Sequence, residues 1–231
     1  MNSDLRTKEI AGRLAEVRGE IAQLAPDREI TLIVVTKNFP TKDVQILYDL
    51  GERNFGENRS EEGQEKAALL PSDVIWHFQG QIQSRKIPSI LSWADFIHSL
   101  DEISHAEKIS RLAPHTATFI QVSLDSSEER NGRGGVDPIQ LNDFIEAVNA
   151  LPLDLQGLMA VAPLASALGS EAQIDNEFAR LEEIYLNAKQ RYPRLRYLSA
   201  GMSGDYRFAL AHGATHIRIG SQILGSRHLP H

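Results

Sequence analysis

Eight times along this chain a short run of apolar and β-branched residues gives way to a stretch with helical spacing. The runs are Ile30–Val35, Arg53–Gly56, Val74–Phe78, Phe96–Ser99, Thr116–Leu124, Leu155–Ala160, Arg196–Ser199 and His216–Ile219. The stretches between and after them are Thr41–Leu50, Glu57–Leu70, Ile82–Leu91, Glu102–Leu112, Pro138–Ala150, Ile174–Tyr192 and Tyr206–His212, with Gln222–Leu224 as a last turn. The first run, TLIVVTK, is continuously apolar rather than alternating, which marks a strand covered on both faces, as in a parallel sheet. Thr41 is placed to cap the N-terminus of the helix after it and Gly51 to end it.

Strand–helix alternation predicts parallel βα units. Eight of them in 231 residues predict an α/β protein built as a single (β/α)8 TIM barrel, near the short end of that fold's range. A doubly wound open sheet is the main alternative. A leading helix, with Leu5, Ile10, Leu14, Val17, Ile21 and Leu24 on one side and Pro26 at its end, lies outside the eight. The expected layout is one domain: the leading helix over 1–26 and the barrel over 30–225. No composition shift or Pro/Ser-rich linker marks a second domain, and the barrel uses up the chain.

Composition removes several classes of chemistry. With no cysteine there is no disulfide framework, thiolate zinc site, iron–sulfur cluster or cysteine nucleophile. A net charge of −7 argues against unspecific nucleic-acid binding but permits a local basic pocket for a phosphate. The N-terminus lacks the apolar core of a signal peptide, and no apolar run approaches the roughly 18 residues of a membrane helix. The expectation is a soluble, cytoplasmic protein that does not act on membranes or nucleic acid. The histidines are scattered, and Gly213 interrupts the spacing between His212 and His216, so no metal site is expected.

In a barrel, functional groups gather at the C-terminal ends of the strands. Lys37 ends the first strand, where partial burial disfavours the ammonium and a neutral amine can form a Schiff base with a carbonyl compound. SAGMSGD (Ser199–Asp205) and RIGS (Arg218–Ser221) follow the seventh and eighth strands, and their small residues let backbone N–H groups approach an anion. A lysine and a phosphate cup in one mouth point to a phosphorylated carbonyl compound; pyridoxal 5′-phosphate (PLP) and a phosphosugar both qualify. Asn58, in FGEN, either touches a ligand or caps the next helix. His77, inside the third strand, reads more readily as a satisfied barrel histidine. Arg85 and Lys86 read as a solvated helix face, and Arg130 and Arg133 as part of a flexible surface loop.

In chain order, VVTKNFP, FGENRSEE, WHFQGQIQSRK, GLMAVAP, SAGMSGD and HIRIGSQILG resemble the family of small pyridoxal-phosphate homeostasis proteins, from about Ile30 to Gly225. That resemblance implies a barrel like the N-terminal domain of alanine racemase, PLP fold type III. It implies that Lys37 holds PLP as a covalent Schiff base, with Asn58 and His77 near the cofactor. It further implies a phosphate cup of Ser199, Met202, Ser203, Gly220 and Ser221, and an Arg218 that faces the pyridine nitrogen and leaves it unprotonated. The chain departs from the family pattern at Gln79 and Gln81, where Ile and Pro or Ala are more usual, and at Ala200, where Met is usual.

The reading this supports is a PLP carrier or regulator in vitamin B6 homeostasis, without robust turnover, serving PLP-dependent apoenzymes. A monomer is favoured over a weak dimer, because no apolar face stands out. An amino-acid racemase of fold type III is the alternative. It needs an acid–base group on each face of the substrate Cα, and no tyrosine here is an evident base. A Schiff-base aldolase acting on a phosphosugar is the third reading.

Overall fold

The computed structural model describes residues 3–125, 134–162 and 170–225. Within them eight parallel strands close into a barrel in sequence order: β1 (Thr31–Val35), β2 (Asn54–Glu57), β3 (Ile75–Phe78), β4 (Phe96–Leu100), β5 (Ala117–Val122), β6 (Asp154–Ala160), β7 (Tyr197–Ser199) and β8 (His216–Ile219). Closure runs through β1 and β8, which pair from Thr31–His216 to Val34–Ile219. The open-sheet alternative is therefore excluded.

The outer helices are α1 (Ser3–Leu24), α2 (Thr41–Asp49), α3 (Ser60–Leu69), α4 (Ile87–Leu91), α5 (Ile103–Leu112), α6 (Leu141–Asn149), α7 (Glu171–Arg191), α8 (Tyr206–Ala211) and α9 (Ser221–Leu224). α1 packs against α2, α8 and α9. Its Ile10 and Val17 are fully buried, and Arg6 bonds both Asp43 at 2.5 Å and the Leu224 carbonyl at 2.9 Å. One arginine thus ties the leading helix to the first and last βα units.

Several local expectations change. Thr41 is the first residue of α2 rather than its cap; Pro40 is the N-cap, and no side chain caps there. Gly51 follows α2 at φ +98°, the left-handed turn that glycine allows. The helix expected from Glu57 begins only at Ser60, because Glu57 is the last, fully buried residue of β2. The stretch Ile82–Leu91 is a 3-10 turn (Ser84–Lys86) followed by a helix with Pro88 in its first turn, where a missing N–H costs nothing. Arg130 and Arg133 lie outside the described residues.

The barrel interior departs from the usual aliphatic layers. His77 stacks on Phe96 with centroids 4.9 Å apart, and His98 on Phe119 at 4.3 Å. His216 meets Phe119 at 5.4 Å and Tyr197 at 4.9 Å. His98 contacts residues of β7 and β8, which are not its neighbours in the sheet, so its ring lies across the inside of the barrel.

Candidate functional site

At the C-terminal ends of the strands lies a cavity of about 240 Å³. That is just under the about 300 Å³ at which pockets for drug-sized ligands begin, so it suits a compact ligand. Its walls come from β1 and its loop (Val35, Lys37, Phe39), the β2 and β3 ends (Asn58, Gln79), β6 (Met159, Val161) and the last two loops (Met202, Ser203, Gly204, Arg218, Gly220, Ser221). Among the described lining residues, Lys37 and Arg218 alone are titratable.

The Lys37 segment is held from both sides. The ammonium of Lys66, on α3, is buried and donates to the Thr36 carbonyl at 2.7 Å, to Glu57 Oε1 at 2.6 Å and to Glu62 Oε1 at 2.8 Å. Thr36 Oγ1 also donates to Glu57 Oε1 at 2.6 Å, and the Asn38 N–H donates to Glu62 Oε1 at 2.6 Å. Asn38 sits at φ +64°, a conformation few non-glycine residues adopt without support. Burial pushes the Glu57 carboxyl up, while Lys66 and the Thr36 hydroxyl pull it back down. The residue before Lys37 is therefore anchored to α3 by the buried Lys66 ammonium, and the residue after it by the half-buried Glu62 carboxylate.

The β2 and β3 ends meet just as closely. A Cβ on Gly80 would lie 2.0 Å from the Asn58 carbonyl oxygen, so only glycine lets the WHFQG turn run beside FGEN. Asn58 therefore lines the cavity and does not cap α3, whose N-cap is Arg59. Gln79, one of the departures from the family pattern, is part of the wall; its Nε2 is buried without a hydrogen-bond partner and lies over Gly56.

On the opposite wall the SAGMSGD loop closes on itself. The Met202 N–H donates to Asp205 Oδ1 at 2.5 Å, and the Tyr206 N–H to the Met202 carbonyl at 2.9 Å. Gly201 stands at φ +92° against Tyr206 and Ala209, and its carbonyl accepts from the Arg218 N–H at 3.0 Å, joining the two late loops. Ser203 Oγ accepts from the N–H groups of Gly220 at 3.3 Å and Gln222 at 3.4 Å. These two long bonds converge on one oxygen. Arg218 is buried. Its guanidinium donates to Ser199 Oγ at 2.9 Å and to the Ala160 carbonyl at 2.8 Å. Burial lowers it to about 10, partly opposed by Asp205, so the cation persists at neutral pH.

Of the residues singled out in the sequence, Lys37, Asn58, Met202, Ser203, Arg218, Gly220 and Ser221 share this cavity. His77 and Ser199 are not part of its lining. Both lie beneath it inside the barrel, because strand alternation turns their side chains to the interior. Phe39 and Val161 line the cavity without a sequence signal. Neither did Lys66 carry one: a lysine in a polar helix reads as solvent-facing. Asp101, Glu102 and His105 bring potential ligand atoms within 4.8 Å of one another, away from the cavity, and Asp101 Oδ2 there accepts the Gly135 N–H at 3.0 Å. His212 is held between Glu182 and Asp175 at 3.0 Å each.

Residues 14–228 match the family model described as alanine racemase, N-terminal domain. A pyridoxal phosphate homeostasis protein from Corynebacterium glutamicum is 36% identical over 215 residues, covering 88% of this chain and 93% of that one. PipY of Synechococcus elongatus PCC7942 is 34% identical, with 94% of this chain and 100% of that chain covered. The TM-score is 0.83 to its structure without PLP and 0.81 to its structure with PLP bound. An alanine racemase from Corynebacterium glutamicum, 18% identical, superposes with a TM-score of 0.69 over 97% of this chain and 63% of its own. That last likeness is one of fold.

Proposed function

The chain belongs to the pyridoxal phosphate homeostasis family, built on the alanine racemase N-terminal barrel, and from this we propose that it carries PLP on Lys37 and buffers the intracellular pool of that cofactor. The observation that carries the reading is a lysine, a buried guanidinium and a converging set of backbone N–H groups around one compact cavity. These groups fit PLP. Lys37 offers an amine at one wall, Arg218 a cation at the floor, and Ser203, Gly220 and Ser221 small polar surfaces for a phosphate. Bound there, PLP would supply an aldehyde able to form a Schiff base and a ring absorbing near the visible edge.

The chain's own residues do the rest. Lys66, Glu57 and Glu62 hold the backbone on both sides of Lys37, so the amine is presented without an ordering cost at binding. Arg218, a donor with no acceptor and no labile proton in practice, can hydrogen-bond a ring nitrogen but not protonate it. Low turnover is supported by the lining, which among described residues offers Lys37 and Arg218 as its titratable groups, whereas racemisation needs an acid–base group on each face of the Cα. We place the protein in the cytoplasm, delivering PLP to apoenzymes, as a monomer. No helix among the described residues is long and apolar enough to cross a membrane.

The test is spectroscopic. Wild-type protein mixed with PLP should develop an imine band that is absent in Lys37→Ala. Single-enantiomer amino acids should keep their chirality over many protein equivalents. A wild type that stays colourless with added PLP would sink the carrier reading, and racemisation at ordinary enzymatic rates would replace it with the alternative.

A further inference from the structure

Arg218 is a buried cation that, among the described residues, makes no ion pair. Burying a lone charge is costly unless dipoles replace the lost water. What stands behind it is a chain of neutral groups crossing the barrel. Arg218 reaches Ser199 Oγ at 2.9 Å, Ser199 Oγ meets His98 Nδ1 at 3.0 Å, His98 Nε2 meets His77 Nδ1 at 2.9 Å, and His77 Nε2 meets Asn54 Oδ1 at 3.0 Å.

Proton bookkeeping gives this chain a direction. A guanidinium only donates, so Ser199 Oγ accepts from it. Ser199 is fully buried, and its single proton must reach an acceptor or be stranded at a cost. The acceptor in reach is His98 Nδ1. His98 then carries its proton on Nε2 and donates to His77 Nδ1, and His77 donates from Nε2 to the Asn54 oxygen. The opposite sense strands the serine proton and requires the Asn54 amide reversed. In the first sense every proton has an acceptor, and each dipole turns its negative end toward Arg218. Burial keeps both rings neutral, with His77 down at about 3 and His98 well below its ordinary value. A protonated ring would reverse a dipole and set a second charge near the arginine.

We propose that His77, His98 and Ser199 form a one-directional hydrogen-bond chain that positions Arg218 and holds its charge without neutralising it, so that its field acts on whatever occupies the cavity. A carboxylate in place of Ser199 would cancel that charge; neutral dipoles solvate it and leave it available. Tied to the reading above, the ligand end is the ring nitrogen of PLP, and these three are positioning residues rather than cofactor contacts. The resemblance in sequence sets His77 and Ser199 at the cofactor; here they lie beneath the cavity rather than in its lining.

The first arm of the test uses wild-type protein without cofactor. Nitrogen-15 NMR of the histidine rings should show His77 and His98 as neutral Nε2–H tautomers from about pH 8 to about pH 5. An Nδ1–H tautomer at either ring, or a charged ring in that range, overturns the chain's direction and the proposal with it. The second arm adds PLP. Ser199→Ala should lower affinity by about tenfold, as expected for losing a bond to a buried charge, and shift the pH dependence of the imine band. Ser199→Thr, which keeps the hydroxyl, should restore both. Unchanged affinity and spectrum in Ser199→Ala would overturn the link to the ligand. A wild type that binds no PLP overturns the carrier reading instead, and the tautomers then decide the chain alone.

Discussion

The Lys66 ammonium donates to the carbonyl of Thr36 at 2.7 Å, although the two residues are thirty apart in sequence and the lysine sits on a helix. The carbonyl belongs to the residue just before Lys37. With Glu57 fully buried beside it, Lys66 is both the counter-charge of a desolvated carboxylate and the clamp on the segment that carries Lys37.

Lys66→Met should therefore be severe. Removing one partner of a buried pair costs about 3–5 kcal/mol, because the other charge is left uncompensated. Urea denaturation should show a clearly lower midpoint, and Glu57→Gln added to Lys66→Met should recover part of the loss. A midpoint equal to wild type in the single variant would show that the pair contributes nothing.

The small residues after β8 make a second prediction. Ser221 lines the cavity beside Gly220, whose N–H points at Ser203 Oγ. Ser221→Phe should weaken PLP binding by about tenfold or more, while pyridoxal, which lacks the phosphate, binds as before. Titration followed by the imine band separates the two. Equal loss for both ligands would remove Ser221 from the phosphate end.

Two glycines should respond oppositely to alanine. On Gly157, in β6, a Cβ would fall 1.8 Å from the Tyr197 carbonyl oxygen of the neighbouring strand, next to the β5–β6 register shift. Gly157→Ala should lower the melting temperature sharply or abolish folding. On Gly19, in α1, a Cβ would meet nothing within 4 Å. Gly19→Ala should stabilise by about 0.5–1 kcal/mol through helix propensity. A neutral Gly157→Ala would contradict the strand packing described above.

Acid should destabilise the barrel through its buried histidines. Burial lowers His77 to about 3, His98 well below its ordinary value, and His216 to about 4. Above the unfolded value of about 6.5 neither state binds these protons, and the stability is fully present. As pH falls from there, the unfolded chain takes up protons that the fold refuses. Each ring then costs about 1.4 kcal/mol per pH unit, until the folded values near 4 and 3 are reached. His212 acts in the opposite sense. Burial draws it down, but Glu182 and Asp175 raise it overall, so its contribution is present at acid pH and is lost as pH rises through its folded value. The three buried rings outnumber it. Urea midpoints should fall steeply between about pH 6.5 and about pH 5; a flat profile would mean that the interior histidines ionise in place.

How far these features could be read in advance follows from the range of the forces involved. The eight units were legible because each apolar run and each helical stretch is a local pattern, and parallel strands joined by helices close in few ways. Lys37, Arg218 and the small residues near them were legible because a barrel puts strand ends in one mouth. Helix starts slipped by three residues where the polar Glu57 ends a strand, and by five where a 3-10 turn precedes α4. Lys66 could not be recognised, since a lysine in a polar helix looks solvated until Glu57 and the Thr36 carbonyl are seen around it. Nor could Ser199 be set beside His98, 101 residues away across the barrel. Local periodicity determined the architecture and the end of the barrel at which the cavity opens. Only the closed barrel decided which charges are buried together, because desolvation and hydrogen-bond direction depend on neighbours that the chain order does not place side by side.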